Sequence, residues 1–412
     1  MIQSTQNAPF TVLIVGGGIG GLTLAHFVRK AGWRAQVIEK RPLAEMLSGP
    51  GGIFIQLNGL SALRQLDEGR LAEALYAQGG SVLAGGFHRE DGSPLYLNDP
   101  EFVGRQDLGV CISRADLQQL LYRDLGPEVV FPGSGLAHFE QDEGGVRVQL
   151  EDGTVLSGDM LVGADGLWSR VRTILEERAR PAAPEYSGYC CWRGLFSVPD
   201  RQILPENSSW AEYWGFGLRF GWFHVGGDRY SFYAFKNTEQ GGADEGSSLA
   251  GLRTLFGDYA APVPAILDAL EGETIYRDDI CDRPPIKGPW GKGRATLIGD
   301  AAHPVQPNIG QGACQAIEDG FELVQALRAG MTAGQTVAEA LRAIEEQRSK
   351  RVTRVFKVSR QVGELAQSDT RWGVFARNQL YRLMPNWLGD LQFRWLFDYE
   401  AEWRSDKLLP KA

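Results

Sequence analysis

The feature that most constrains this chain is a short apolar run that ends in glycines and gives way at once to an apolar pattern of another period. Thr11-Val-Leu-Ile-Val15 is followed by Gly16, Gly17, Gly18, Gly20 and Gly21. A run that is apolar at every position suits a strand buried on both faces of a parallel sheet. From Leu22 to Lys30 the apolar residues, Leu22, Ala25 and the Phe27–Val28 pair, recur at helical spacing. Gly16 then permits a tight turn, Gly18 lets the backbone approach a pyrophosphate, and Gly21 allows close helix–strand packing. The amides of the helix N-terminus would face the phosphates. Val37-Ile38-Glu39 closes the unit with a carboxylate able to accept from both hydroxyls of a ribose.

Two later segments have the same character. Leu161-Val-Gly163-Ala-Asp165-Gly166 ends a second buried strand and precedes Ser169, Arg170 and Arg172. A glycine-flanked aspartate at a strand end fixes a turn by accepting from nearby amides. A purely structural turn and a turn carrying a basic side chain toward a pyrophosphate fit this segment equally well. Ala295-Thr-Leu-Ile-Gly299-Asp300 ends a third apolar strand and runs into Gln306-Pro-Asn308-Ile-Gly310-Gln-Gly312, which opens another helix. Carboxyl ends of strands are where open α/β sheets bind ligands. Asp300 suits the hydroxyls of a ribityl chain, and the glycines let amides crowd a ring edge. The following helix N-terminus would stabilise negative charge there. His303 beside Pro304 reads as structural support rather than as a base.

In this order the three segments resemble those of the single-component (group A) flavoprotein monooxygenases, the p-hydroxybenzoate hydroxylase-like family, from about Thr11 to about Ala326. Gly49-Pro-Gly-Gly-Ile-Phe-Ile-Gln-Leu-Asn58 and the stretch from Gln306 to Asp319 are similar to the zeaxanthin epoxidase-like and salicylate or urate hydroxylase-like branches. The resemblance implies FAD contacts from Gly16, Gly18, Gly21, Glu39, Arg114 and Asp300, with Asp165 and Arg172 in a shared FAD/NAD(P)H motif. Gly20, Lys40, Gly52, Gly299, Pro307, Gly310 and Gly312 complete the cofactor-binding candidates. It also implies NADPH or NADH as a transient cosubstrate without a dinucleotide fold of its own, and oxygen transfer through a C4a-hydroperoxyflavin. The Gly49–Gly52 loop is a candidate for letting the flavin ring change position. Gly215-Phe-Gly217-Leu-Arg-Phe-Gly221 has the wrong spacing for a second nucleotide site.

The expected fold is α/β: a Rossmann-type FAD-binding domain interleaved with a mainly antiparallel β-sheet substrate domain, plus C-terminal helices. The FAD-binding domain would span 1–184 and 280–330, with parts near 70–110 able to join the substrate domain at 185–279, and helices over 331–412. Between Glu185 and Asp279 short aromatic strands alternate with glycine turns. Arg193, Tyr213, Arg219, His224 and Tyr233 are the polar groups singled out there, and Arg193, Arg219 and His224 are the candidates for the substrate pocket. Either arginine suits a carboxylate bidentately and His224 suits a phenol. Alternation puts Arg219, Gly221 and Phe223 on one face, opposite His224. Val337–Val362 is amphipathic, and the aromatic tail after Pro385 reads as a docking helix.

A net charge of −9 argues against a nucleic-acid surface. Five cysteines without CxxC spacing argue against a disulfide framework or a metal site and for a reducing cytoplasm. No apolar run has the length of a membrane span, and no signal peptide is evident. The expected activity is hydroxylation of an aromatic or conjugated small molecule with O2, by a monomer or homodimer. Epoxidation of an alkene or polyene, a flavin dehydrogenase of the same fold, and a non-catalytic FAD module stay open. A flavin halogenase does not, because its Trp-x-Trp-x-Ile-Pro segment is missing.

Overall fold

A computed structural model describes residues 9–98, 107–198, 203–205, 208–242, 246–385 and 394–404. The opening run forms β1 (Thr11–Val15), α1 (Ile19–Lys30) and β2 (Arg34–Glu39). The helix begins at Ile19 rather than at Leu22, because its first turn takes in Gly20 and Gly21. A Cβ on Gly21 would lie 1.9 Å from the Gly16 carbonyl oxygen, so only glycine lets the helix start this close to the strand.

β1 and β2 sit inside a five-stranded sheet ordered Ala295–Leu297, Met160–Gly163, β1, β2 and Val130–Pro132, and every pairing is parallel. The register aligns Val15 with both Gly163 and Ile38, and Gly163 with Leu297. Segments far apart in the chain therefore end on one edge of the sheet. On one face α1 packs against the helix Gly312–Thr332, with Phe27 and Phe321 edge to face at 5.4 Å. The other face is covered by the antiparallel strands Leu136–Gln141, Val146–Leu150 and Val155–Gly158.

A second sheet has seven strands, in the order Tyr276–Asp282, Glu185–Ser197, Arg229–Asn237, Leu218–His224, Trp210–Trp214, Gly85–Arg89 and Pro94–Asn98. Its pairings are antiparallel except that Trp210–Trp214 runs parallel to Gly85–Arg89. Residues 85–98 thus extend the aromatic sheet from a distant part of the sequence. One face, carrying Phe220, Trp222 and Phe232, is closed by the helices Ser248–Phe256 and Val263–Ala269. The small strands Gly52–Gln56, Gly109–Ser113 and Gly80–Ser81 form a third, antiparallel sheet between the two halves.

The helices Val337–Ala366 and Arg371–Leu383 follow. Of the aromatic tail, 386–393 and 405–412 lie outside the described residues. Residues 394–404 return to the first half of the molecule, where Arg351 donates to the Trp395 carbonyl and the Ala401 amide donates to Ser61.

Candidate active site

A cavity of about 1680 Å³ runs from the carboxyl edge of the parallel sheet to the open face of the aromatic sheet. A pocket for one drug-sized ligand holds roughly 300–1,000 Å³. The space admits a cofactor and a second molecule end to end.

At the nucleotide end, Gly16 takes φ +113°, a conformation open to glycine, and turns the chain under Ala164. Gly18 has an ordinary backbone (φ −76°), and a Cβ there would meet nothing within 4 Å. It faces open cavity. α1 has no side-chain N-cap and no acidic residue in its first turn, so its amides are left for a ligand. Glu39 is buried; its Oε2 accepts from the Gly17 amide at 2.8 Å and its Oε1 from the Arg41 amide and Nε, each at 2.9 Å. Burial pushes the Glu39 carboxyl up, but Arg41 outweighs it and the pKa lies below the usual value. Arg41 lines the cavity beside Lys40, a neighbour the sequence reading passed over.

The second segment is a tied turn. Asp165 accepts from the Ser169 hydroxyl at 2.5 Å and from the Arg170 and Val171 amides at 2.6 and 3.1 Å. Burial raises its pKa. Arg170 lines the cavity, whereas Arg172 pairs with Glu176 at 2.8 Å and does not. The helix starting at Arg170 carries the two arginines on different sides, which the linear motif leaves undecided.

The third segment is held from behind. Asp319 accepts from the Gly299 amide at 2.8 Å, contacts His303 Nε2 at 2.6 Å and pairs with Arg348 at 2.7 Å. Burial opposes its ionisation, but His303, Arg348 and the Gly299 amide keep its pKa well below the usual range. This clamp fixes the turn from which Asp300 reaches into the cavity. Asp300 lines the cavity with its side chain still open to solvent, yet desolvation by the surrounding protein raises its pKa. Pro307, Gly310 (φ +64°) and Gly312 line the adjoining loop, and the helix beginning at Gly312 also lacks a side-chain cap. Gln311 holds the loop by donating to Gln56 at 2.5 Å.

Between the halves lies Arg114, whose Nε is buried without a hydrogen-bond partner. Burial, with Arg193 adding to it, pushes its pKa down to about 10. A buried guanidinium with a donor to spare is costly unless a ligand supplies the acceptor. The Gly49–Gly52 loop is wedged here: the Gly51 carbonyl accepts from the Arg114 amide at 3.0 Å, and the Gly52 amide donates to Ser231 at 2.8 Å. These residues fit FAD. Two uncapped helix ends and Arg114 would meet its anionic groups, Glu39 and Asp300 its hydroxyls, and the glycine loop its flat ring.

At the aromatic end, Phe223, Tyr233 and Phe235 line the cavity with Arg193 and Arg219. Arg193 pairs with Asp278 at 2.7 Å. Arg219 is buried and engaged at three nitrogens: Nε donates to Gln367 at 2.6 Å, Nη1 to Glu212 at 3.2 Å and Nη2 to Asn308 at 2.7 Å. Its guanidinium also lies over Phe235 at 4.3 Å. A bidentate grip on a substrate carboxylate would have to break these bonds. Glu212, absent from the sequence candidates, is the buried counter-ion, and it accepts from Trp214 at 2.8 Å and from Tyr233 at 2.7 Å. His224 is not brought to the cavity. It shares the strand face of Phe220 and Trp222 and bonds the Gly227 carbonyl at 2.9 Å, so it lies across the sheet from Arg219. Tyr213 likewise turns away and stacks on His88 at 5.2 Å.

Comparison with known proteins gives a consistent result. The FAD binding domain family matches residues 9–213 and 273–359. Aurachin C monooxygenase/isomerase of Stigmatella aurantiaca is 35% identical over 378 residues, covering 91% of this chain and 94% of that protein. The chloroplastic zeaxanthin epoxidase of an Oncidium hybrid cultivar is 36% identical, covering 89% of this chain and 56% of the epoxidase, so the chain spans about half the length of that relative. Klebsiella pneumoniae HpxO, solved with FAD and uric acid, superposes with a TM-score of 0.82 at 27% identity over 95% of this chain and 96% of HpxO. A salicylate hydroxylase substrate complex shares the fold, with a TM-score of 0.76 at 21% identity over 99% of each chain.

Proposed function

Because the chain belongs to the FAD-binding-domain family, among the group A flavoprotein monooxygenases, we propose that it uses NAD(P)H and O2 to hydroxylate an aromatic or conjugated small molecule. The observation that carries this reading is the single cavity joining a flavin-sized cradle to an aromatic-walled space. When bound, FAD supplies the activation of O2 and the delivery of one oxygen atom to the substrate.

The chain's own residues set the conditions. The amides of Gly18 and its neighbours would hold the pyrophosphate, and Glu39 and Asp300 would orient the sugar and ribityl hydroxyls. The Asp319 clamp stops the Gly299 turn from drifting, which would steady the groups that hold the cofactor. Phe223, Tyr233 and Phe235 exclude water from the reacting end. Burial holds Tyr233 as a neutral phenol, and its proton is committed to Glu212, so its oxygen is left as an acceptor for a substrate hydroxyl or N–H. All five cysteines are free thiols, four of them buried, which supports a reducing, cytoplasmic setting; the protein acts there as a monomer or homodimer. Epoxidation of an alkene is the second reading, favoured by the 36% identity to zeaxanthin epoxidase.

Stimulated NAD(P)H oxidation across aromatic acids, polycyclic phenols and polyenes, with product mass spectrometry, tests both readings. Oxygenated aromatic product supports the first, epoxide the second. Hydrogen peroxide as the sole product from every compound would count against both.

A further inference from the structure

The helix Arg371–Leu383 has two faces that differ in what holds them. The inner face is anchored. Arg377 Nη1 donates to the carbonyls of Gly215 and Ala366, and Tyr381 packs edge-on against Trp214 at 5.0 Å and Phe87 at 6.0 Å. Tyr381 and the following Met384 form part of the cavity wall. The outer face is apolar and exposed: Trp372 at 81%, Phe375 at 55%, Leu380 at 53% and Leu383 at 77%. At one hundred degrees per residue these four share one side of the helix. Arg371 and Arg382 lie together along one edge of it, beside Phe375, and are exposed as well. From Thr370 to Pro385 there is no aspartate or glutamate, although the whole chain carries a net charge of −9.

Aromatic and aliphatic residues on an exposed face, bordered by arginines on an acid-free helix, are the features of a helix that lies in the headgroup region of an anionic bilayer. With 13 residues the helix is too short to span one, and among the described residues no helix is long and apolar enough to cross a membrane. We propose that the outer face of this helix docks on an anionic lipid surface, so that an apolar substrate passes from the bilayer by Met384 into the cavity. The lipid contact stands on the surface alone; the passage of substrate rests on the oxygenase reading above.

The test uses the flavin-loaded protein and sedimenting vesicles of phosphatidylcholine with or without phosphatidylglycerol. Wild type pellets with the anionic vesicles, and less so at high salt. Replacing Trp372 and Leu383 by serine lowers the partition coefficient about tenfold or more, from the apolar area withdrawn from the lipid. Arg371→Gln with Arg382→Gln removes the preference for phosphatidylglycerol. Flavin content and NAD(P)H oxidation without vesicles stay unchanged in both variants. Failure of wild type to pellet overturns the proposal, as does equal pelleting of the serine variant. So does a dimer in sedimentation velocity that the serine substitutions dissolve, since the partner is then a second copy of the chain. Vesicle binding without oxygenated product from any substrate leaves the docking intact and overturns the functional reading alone.

Discussion

The three glycines at the end of β1 perform different tasks, and alanine at each should fail in a different way. At Gly18 a Cβ would find no protein atom within 4 Å, and the backbone at φ −76° accepts any residue. Gly18→Ala should therefore leave apoprotein stability within about 1 kcal/mol of wild type, tending to the stabilising side through the unfolded chain. The same methyl group occupies the space where the pyrophosphate must meet the α1 amides. Losing one or two hydrogen bonds to a charged group costs about 1.5–3 kcal/mol each, which lowers FAD affinity roughly 10- to 100-fold or more. At Gly21 the Cβ would lie 1.9 Å from the Gly16 oxygen, and at Gly16 it would lie 2.3 Å from the Ala164 oxygen with φ at +113°. Those alanines force backbone apart and should cost about 3 kcal/mol or more of folding stability. Urea unfolding of the apoproteins and FAD titration by flavin fluorescence separate the two effects. A Gly18→Ala protein that binds FAD within twofold of wild type would refute the argument, because among the described residues nothing fills that open space.

Further outcomes follow from charge that the fold desolvates. Arg114→Met should make the apoprotein more stable while weakening FAD, since its folded pKa of about 10 lies below 12.5 and its charge is penalised at every pH below that folded value; a loss of apoprotein stability would contradict this. Asp300, with a folded pKa above 3.8, is penalised when ionised, so the apoprotein should gain stability as pH falls through the folded value toward 3.8. Asp300→Asn should flatten that slope in urea midpoints measured against pH and weaken FAD binding. Arg219→Met strands the buried Glu212 and should cost about 3–5 kcal/mol, most of it restored by adding Glu212→Gln, as a thermal-melt cycle would detect.

What the sequence conveys and what it withholds divide along physical lines. Local period and glycine placement delimit β1, α1 and β2, because burial on both strand faces and close packing leave a signature within thirty residues. The convergence of Gly16, Asp165 and Gly299 follows from parallel register, which the apolar strands imply but do not spell out. That parts near 70–110 could join the aromatic sheet was expected, but the parallel pairing of Gly85–Arg89 with Trp210–Trp214 left no local trace, since it is decided by tertiary packing. Side-chain destinations were the least legible. Arg219 reads in its strand as a substrate-pocket candidate, yet two of its three partners, Asn308 and Gln367, come from far along the chain. Period-two alternation did separate Arg219 from His224, and the sheet faces follow it. Arg170 and Arg172 differ only by a rotation on a helix whose orientation is set by the Asp165 turn.

The central claim is that this cavity holds FAD so as to pass one atom of molecular oxygen to an apolar aromatic or conjugated substrate. Turnover under isotopically labelled O2 with NAD(P)H, followed by product mass spectrometry, measures that directly. The account predicts one labelled oxygen atom in the product and none from labelled water; a product labelled from water, or oxidised without gaining oxygen, would contradict it.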